Sequence, residues 1–227
     1  MYRLYIANKN YSSWSLRPWV LLRELGVDFE EQALVFGDAP AWQQFRTLCP
    51  SGRVPCLFDG KIRVWDSISI AEYLAERHPA VWPLAAEARA WARSAAAEMH
   101  SGFSALREQC SMSCGIRARL RERPAALEAD LARLASLWGE GLQRFGGPFL
   151  TGERFNAVDA FFCPVAIRLQ TYGLALGGSC DGYAQRLRAL PAMQLWYAAA
   201  LREPAREDAH EQQVRRYAEV LQDLREG

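Results

Sequence analysis

The chain has 227 residues, half of them hydrophobic and 23 % charged, with 27 basic against 26 acidic side chains. That length and composition allow a substantial buried core, in one large domain or two small ones, and a net charge of +1 offers no basic footprint for nucleic acid or an anionic membrane. No stretch approaches the roughly 18 consecutive apolar residues of a membrane-spanning helix.

Residues Tyr2–Ala7 are rich in aromatic and β-branched types and predict a short buried strand. The N-terminus passes directly into this strand with no long apolar region or small-residue cleavage site, so a cytosolic protein is expected. Six cysteines (Cys49, Cys56, Cys110, Cys114, Cys163 and Cys180) are sparse for the length and, in a reducing compartment, are expected as free thiols. Cys110 and Cys114 lie one helical turn apart, but no further Cys or His stands at zinc-like spacing, and no metal is expected.

After the strand comes Tyr11-Ser12-Ser13-Trp14-Ser15-Leu16-Arg17-Pro18-Trp19. Hydroxyl residues that close a strand and open a helix bring serine O–H donors to the unpaired N–H groups of the first turn, where the helix dipole favours negative charge. One serine would suffice for capping. Three in four positions point to an anion site. The helix is expected to run to about Leu25 with Gly26 as its left-handed terminator, Pro18 falling near the first turn. Arg17 is expected to pair structurally rather than to act in chemistry.

Residues 27–35 read as a second strand and residues 41–48 as a short helix. Residues 54–58 and 62–65 are apolar runs joined by Asp59-Gly60, the strongest short hairpin signal. Pro55 cannot donate to a ladder and so belongs at an edge, a bulge or a strand's first residue. A cis bond there would present the N–H and C=O of Val54 to a ligand, and a trans edge proline is the alternative. Asp66-Ser67 opens a third amphipathic helix, a second terminus with free donors.

Beyond Pro79 and Pro83 the pattern becomes helical: residues 88–120, 124–145, 156–173, 184–190, 191–201 and 212–224. The expected organisation is a small α/β domain over residues 1–79, a linker at 80–86, and an all-helical domain over 87–227. Asn156 and Asp159 form a capping box with Asp in place of Glu, and Phe155 is placed to staple it. This is folding chemistry rather than catalysis.

The order of strand, Ser-rich turn, helix, strand, helix, Val54-Pro55 hairpin and Asp66-Ser67 helix, followed by a helical half with a buried cap, resembles the cytosolic glutathione transferase family over essentially the whole chain. Its most specific parts are Pro50-x-Gly52-x-Val54-Pro55-x-Leu57, Asp66-Ser67 and Asn156-x-x-Asp159. Ser12-Ser13-Trp14-Ser15-x-Arg17 is similar to the serine-type, zeta-like signature, in which the third residue is usually Cys where this chain has Trp14. The resemblance implies a thioredoxin-like glutathione-binding domain, glutathione as co-substrate without a metal, a homodimer, and a helical domain lining the pocket for a small hydrophobic electrophile.

Carried over residue by residue, Ser12 is the activating hydroxyl with Ser13 the close alternative. Val54 before a cis Pro55 would pair with the cysteinyl backbone, and Asp66, where the family usually has Glu or Gln, would hold the γ-glutamyl end with Ser67. Trp14 and Arg53 join the glutathione site. Trp14, His100, Phe103 and Arg107 are candidates for the electrophile pocket, the last three on one long helix. The implied activity is transfer of the thiol to an electrophile. A glutathione-dependent cis-trans isomerase like maleylacetoacetate isomerase, and a non-catalytic glutathione-binding scaffold, are the alternatives. A dithiol or glutathionyl oxidoreductase would need a cysteine among Ser12 to Ser15, and there is none.

Overall fold

The computed structural model describes residues 1–225; residues 226–227, the end of the expected second domain, lie outside the described residues. The first part is built on a four-stranded sheet of order β2-β1-β3-β4, comprising β1 (Tyr2–Ala7), β2 (Phe29–Leu34), β3 (Cys56–Asp59) and β4 (Ile62–Trp65). β1 and β2 pair in parallel through the crossover helix α1 (Ser13–Glu24), whereas β3 pairs antiparallel with both β1 and β4. The β3–β4 turn falls at Asp59-Gly60, with Gly60 at a φ of 58°, a conformation that needs no Cβ. The remaining helices here are α2 (Ala39–Leu48) and α3 (Ser67–Ala75).

Leu4 and Ile6 of β1, Leu57 of β3, and Leu16, Val20 and Leu21 of α1 are fully or almost fully buried. They join Ile70 and Leu74 of α3 in one apolar cluster that runs on into the helical half. A smaller cluster of Leu34, Phe45, Cys49, Cys56 and Phe58 fixes α2 against the other part of the sheet.

The helical half contains α4 (Ala86–Ser101), α5 (Ser104–Gln109), α6 (Ala125–Phe145), α7 (Ala157–Thr171), α8 (Gly178–Ala189), α9 (Pro191–Arg202) and α10 (Asp208–Tyr217). At its centre is α7, buried along nearly its whole length and packed on α1, α4 and α8. The capping box forms: Asn156 Oδ1 accepts from Val158 N–H at 3.2 Å, and Asp159 Oδ2 accepts from Asn156 N–H at 3.0 Å. Asp159 Oδ1 also accepts from Leu150 N–H at 3.1 Å and from the Tyr183 hydroxyl at 2.8 Å. Burial nevertheless outweighs these bonds and pushes the Asp159 carboxyl up from 3.8 to about 6. Phe155 packs edge-on to Phe149 with ring centroids 5.8 Å apart.

Three expectations need correction. Residues 88–120 are not one helix. Gly102 caps α4 by donating to Glu98 O, and Phe103 takes the left-handed conformation at a φ of 55°, so the chain turns before α5. The second half also carries a two-stranded antiparallel sheet, β5 (Ile116–Leu120) with β6 (Ala218–Asp223). Ile116, Ala118 and Leu120 alternate with Arg117 and Arg119, a period of two that the surrounding helical pattern conceals. β6 is mostly exposed, so pairing rather than burial holds it, and the helix expected over residues 212–224 stops at Tyr217. Finally, α8 begins at Gly178, six residues before the expected start, with Asp181 accepting from the N–H groups of Leu176 and Gly177.

Candidate active site

The second half holds the segment that enters α1 from outside. Glu203 accepts from the N–H groups of Lys9 and Asn10 at 2.6 and 3.1 Å, Trp196 Nε1 donates to Lys9 O at 2.8 Å, and Asn10 Oδ1 accepts from Gly115 N–H at 2.9 Å. Tyr11 donates to Glu211 at 2.6 Å and stacks on His210. Backbone groups that would otherwise need water are thereby satisfied inside the protein, which sets the serines that follow in one position.

Ser12 sits at the N-cap of α1, but no serine side chain caps the first turn; Ser13 N–H donates to Tyr11 O at 2.9 Å, and the N–H groups of Trp14 and Ser15 keep their capacity for an anion. The Ser12 hydroxyl donates to Ser15 Oγ at 2.8 Å, and Ser15 Oγ accepts from Ala7 N–H at 3.2 Å. Both serines are buried. Ser13 is more accessible: its Oγ accepts from Arg168 Nη2 at 3.3 Å, which leaves its own proton free to donate.

Ser12 and Ser13 open onto a cavity of about 590 Å³ whose lining also includes Trp14, Arg53, Val54, Arg107 and Arg168. A second cavity adjoins it, lined by Pro55, Trp65, Asp66 and Ser67 and sharing Trp14, Arg53, Val54 and Arg107. The two form one trough. The Val54–Pro55 peptide is cis. At the far end Asp66, at a φ of 74°, accepts from Ile68 N–H at 2.9 Å through one oxygen and faces His100 Nε2 at 3.5 Å through the other. The Ser67 hydroxyl is buried there with no hydrogen-bond partner.

Of the electrophile-pocket candidates, Trp14 and Arg107 line the trough. His100 stands behind them, its ring 5.1 Å from that of Trp14, and burial lowers its pKa despite Asp66. Phe103 is buried in the main core instead, because the turn at Gly102 swings it away from the line of α4. Arg17 also departs from expectation. Its guanidinium lies over the rings of Trp14 and Phe161, at 4.2 and 4.9 Å, and no carboxylate pairs with it among the described residues. Sequence reasoning missed Arg168 altogether, although a lone arginine in the apolar run of α7 is a visible anomaly.

Two matches decide the family. Residues 11–77 match the family described as "Glutathione S-transferase, N-terminal domain", and residues 116–199 match "Glutathione S-transferase, C-terminal domain".

The chain belongs to the glutathione S-transferase family. A curated relative, "Glutathione S-transferase-like protein OpS6" of Beauveria bassiana, is 25 % identical over 169 residues, covering 71 % of this chain and 76 % of that protein. A solved glutathione transferase homolog from Burkholderia GL BGR1, with glutathione bound, is 25 % identical and superposes with a TM-score of 0.64 over 88 % of this chain and 97 % of its own. The theta-class enzyme of Xanthomonas axonopodis pv. citri, also with glutathione bound, shares the fold at 24 % identity and a TM-score of 0.62, covering 86 % and 96 % of the two chains. The glutathione S-transferase fold here is a mixed sheet domain followed by a helical domain. Among the described residues no group of His, Cys, Asp and Glu is arranged to hold a metal ion, and no helix is long and apolar enough to cross a membrane.

Proposed function

We propose that this protein binds glutathione along the trough and activates its thiol at Ser13 for attack on a small electrophile. The observation that carries the reading is the continuity of the trough, with a free serine proton at one end and Asp66 and the orphaned Ser67 hydroxyl at the other. An extended tripeptide matches that layout: its ammonium-bearing γ-glutamyl end beside Asp66, its middle backbone along Val54, and its sulfur at Ser13. Trp14 and Arg53, lining both cavities, flank the peptide.

The activation requires no general base. A free thiol has a pKa of about 8.5, and a hydrogen bond to a charged group contributes roughly 1.5–3 kcal/mol. If most of that acts on the thiolate alone, the pKa falls by about one to two units. Ser13 would donate to the sulfur while Arg168 donates to Ser13 Oγ, so the hydroxyl proton stays directed at the anion. The N–H groups of Trp14 and Ser15 at the α1 terminus add to the same effect. Ser12, by contrast, has its proton engaged with Ser15.

The protein's own thiols do not compete for this role. All six cysteines are free and buried, and burial raises the pKa of Cys56, Cys110, Cys114, Cys163 and Cys180. A homodimer is also proposed, on family resemblance. Light scattering that finds a monomer would remove it. Calorimetric titration tests the main reading: saturable heat with glutathione at millimolar or lower concentration is expected, with conjugation of at least one member of a panel of halide, epoxide and enoyl electrophiles. No heat at millimolar glutathione would refute it.

A further inference from the structure

The cavity beside Ser13 combines apolar walls, among them Trp14, Phe36, Trp42 and Met112, with charged and polar groups that a neutral, hydrophobic electrophile would leave unused. Ser104, Ser111, His210 and Gln213 line it together with Arg107 and Arg168. A third guanidinium, Arg17, lies over the same Trp14 ring as Arg107, at 4.2 and 4.6 Å. Arg17 and Arg168 are 2 % and 6 % exposed, so two of these cations are withdrawn from water.

Among the described residues none of the three forms an ion pair. Arg168 is held by the carbonyl oxygens of Arg107 and Cys110 and by Ser13 Oγ, all of them uncharged. Arg107 donates to His100 O, while Nε and Nη1 of Arg17 are buried with no partner at all. Burial and mutual repulsion lower Arg17 to about 9 and Arg168 to about 10, values at which both stay charged at neutral pH. Two carboxylates lie nearby without pairing with these cations: Glu108, which lines the cavity, accepts from the Tyr217 hydroxyl at 2.8 Å, and Asp66, which caps α3, partly offsets the charge of Arg17.

Aromatic faces and carbonyls soften the cost of such burial without neutralising it. A bound thiolate would offset one positive charge of the three. We infer that the electrophile received beside Ser13 carries a carboxylate, docked on Arg107 and Arg168. A planar guanidinium with free N–H groups matches a carboxylate in geometry as well as charge. The substrate class is then a small carboxylic acid bearing an electrophilic carbon a few bonds from its carboxylate. This rests on the proposed binding of glutathione in the trough.

Binding of inert conjugates tests the inference independently of turnover. S-benzylglutathione and its 3- and 4-carboxybenzyl counterparts differ only in the carboxylate, so the ratio of their Kd values cancels whatever the glutathione portion contributes. At least one carboxylated isomer is expected to bind the wild-type protein roughly tenfold or more tightly than the benzyl conjugate, as one charged hydrogen-bonded pair would give. Arg107→Gln should bring that ratio to within about twofold. Arg168→Lys, which keeps the buried charge and so favours a folded protein, should reduce it in part.

If glutathione and S-benzylglutathione bind but neither carboxylate adds affinity, the inference is overturned while the glutathione reading stands. A preference that survives unchanged in both variants would also overturn it, since the carboxylate would then sit elsewhere. If glutathione itself does not bind, the reading of the trough has failed.

Discussion

Arg168 Nη2 and Ser13 Oγ, 155 residues apart in the chain, meet at 3.3 Å. The contact exists because α7 runs through the centre of the molecule and packs on α1, so a residue of the second half orients a hydroxyl of the first. It also distinguishes Ser13 from Ser12, whose proton is turned toward Ser15.

Removing the free hydroxyl should therefore matter most. Ser13→Ala is expected to raise the pKa of bound glutathione by about one to two units and to slow turnover at pH 6.5 by roughly ten- to a hundredfold. Ser12→Ala should act mainly through the position of Ser15 and change that pKa less. Thiolate absorbance against pH for the two variants decides the matter; the larger shift in Ser12→Ala would return the role to Ser12.

At the other end of the trough, Asp66→Asn keeps the cap and an acceptable residue for positive φ but removes the charge facing the ligand. The Kd for glutathione is expected to rise roughly tenfold, with the melting temperature little changed and the rate of the bound complex nearly preserved. An unaltered Kd in calorimetry would remove Asp66 from the site.

The loop before α1 depends on Glu203. Glu203→Ala would leave the N–H groups of Lys9 and Asn10 without partners, at about 1–3 kcal/mol for each buried donor. Urea unfolding should show reduced stability, and hydrogen exchange should show faster exchange of these two amides than of the β1 amides. Equal protection in variant and wild type would mean that the loop is held by its other contacts, to Trp196, Cys114, Gly115 and Glu211.

Asp159 gives a pH dependence. Its carboxyl is raised to about 6 by burial, above the unfolded value, so between roughly pH 4 and 6 the native state retains a proton that the unfolded chain releases. Its contribution to stability is present below that window and declines as pH rises through it. The stability difference between wild type and Asp159→Asn should therefore shift against wild type as pH rises from 4 to 6. Asp159→Ala, which orphans Leu150 N–H, Asn156 N–H and the Tyr183 hydroxyl, should cost about 3 kcal/mol or more at any pH. Urea unfolding as a function of pH measures both.

Local chemistry alone set several features. Asp59-Gly60 specified the β3–β4 hairpin, Asn156 and Asp159 specified the start of α7, and the hydroxyls after β1 marked where a helix would open. Each of these depends on residues within a few positions of one another, so the necessary interactions are already implied by their spacing. Tertiary structure decided the rest. The β5–β6 pair joins segments about a hundred residues apart, and a strand that gains its partner only at the end of the chain leaves a weak mark in its own pattern. The left-handed turn at Phe103, which removes that side chain from the cleft, depends on where α4 ends against its neighbours. The charge of the cavity also lay beyond sequence reading, because three scattered arginines become one cluster, with no ion pair among the described residues, only when α1, α5 and α7 pack together.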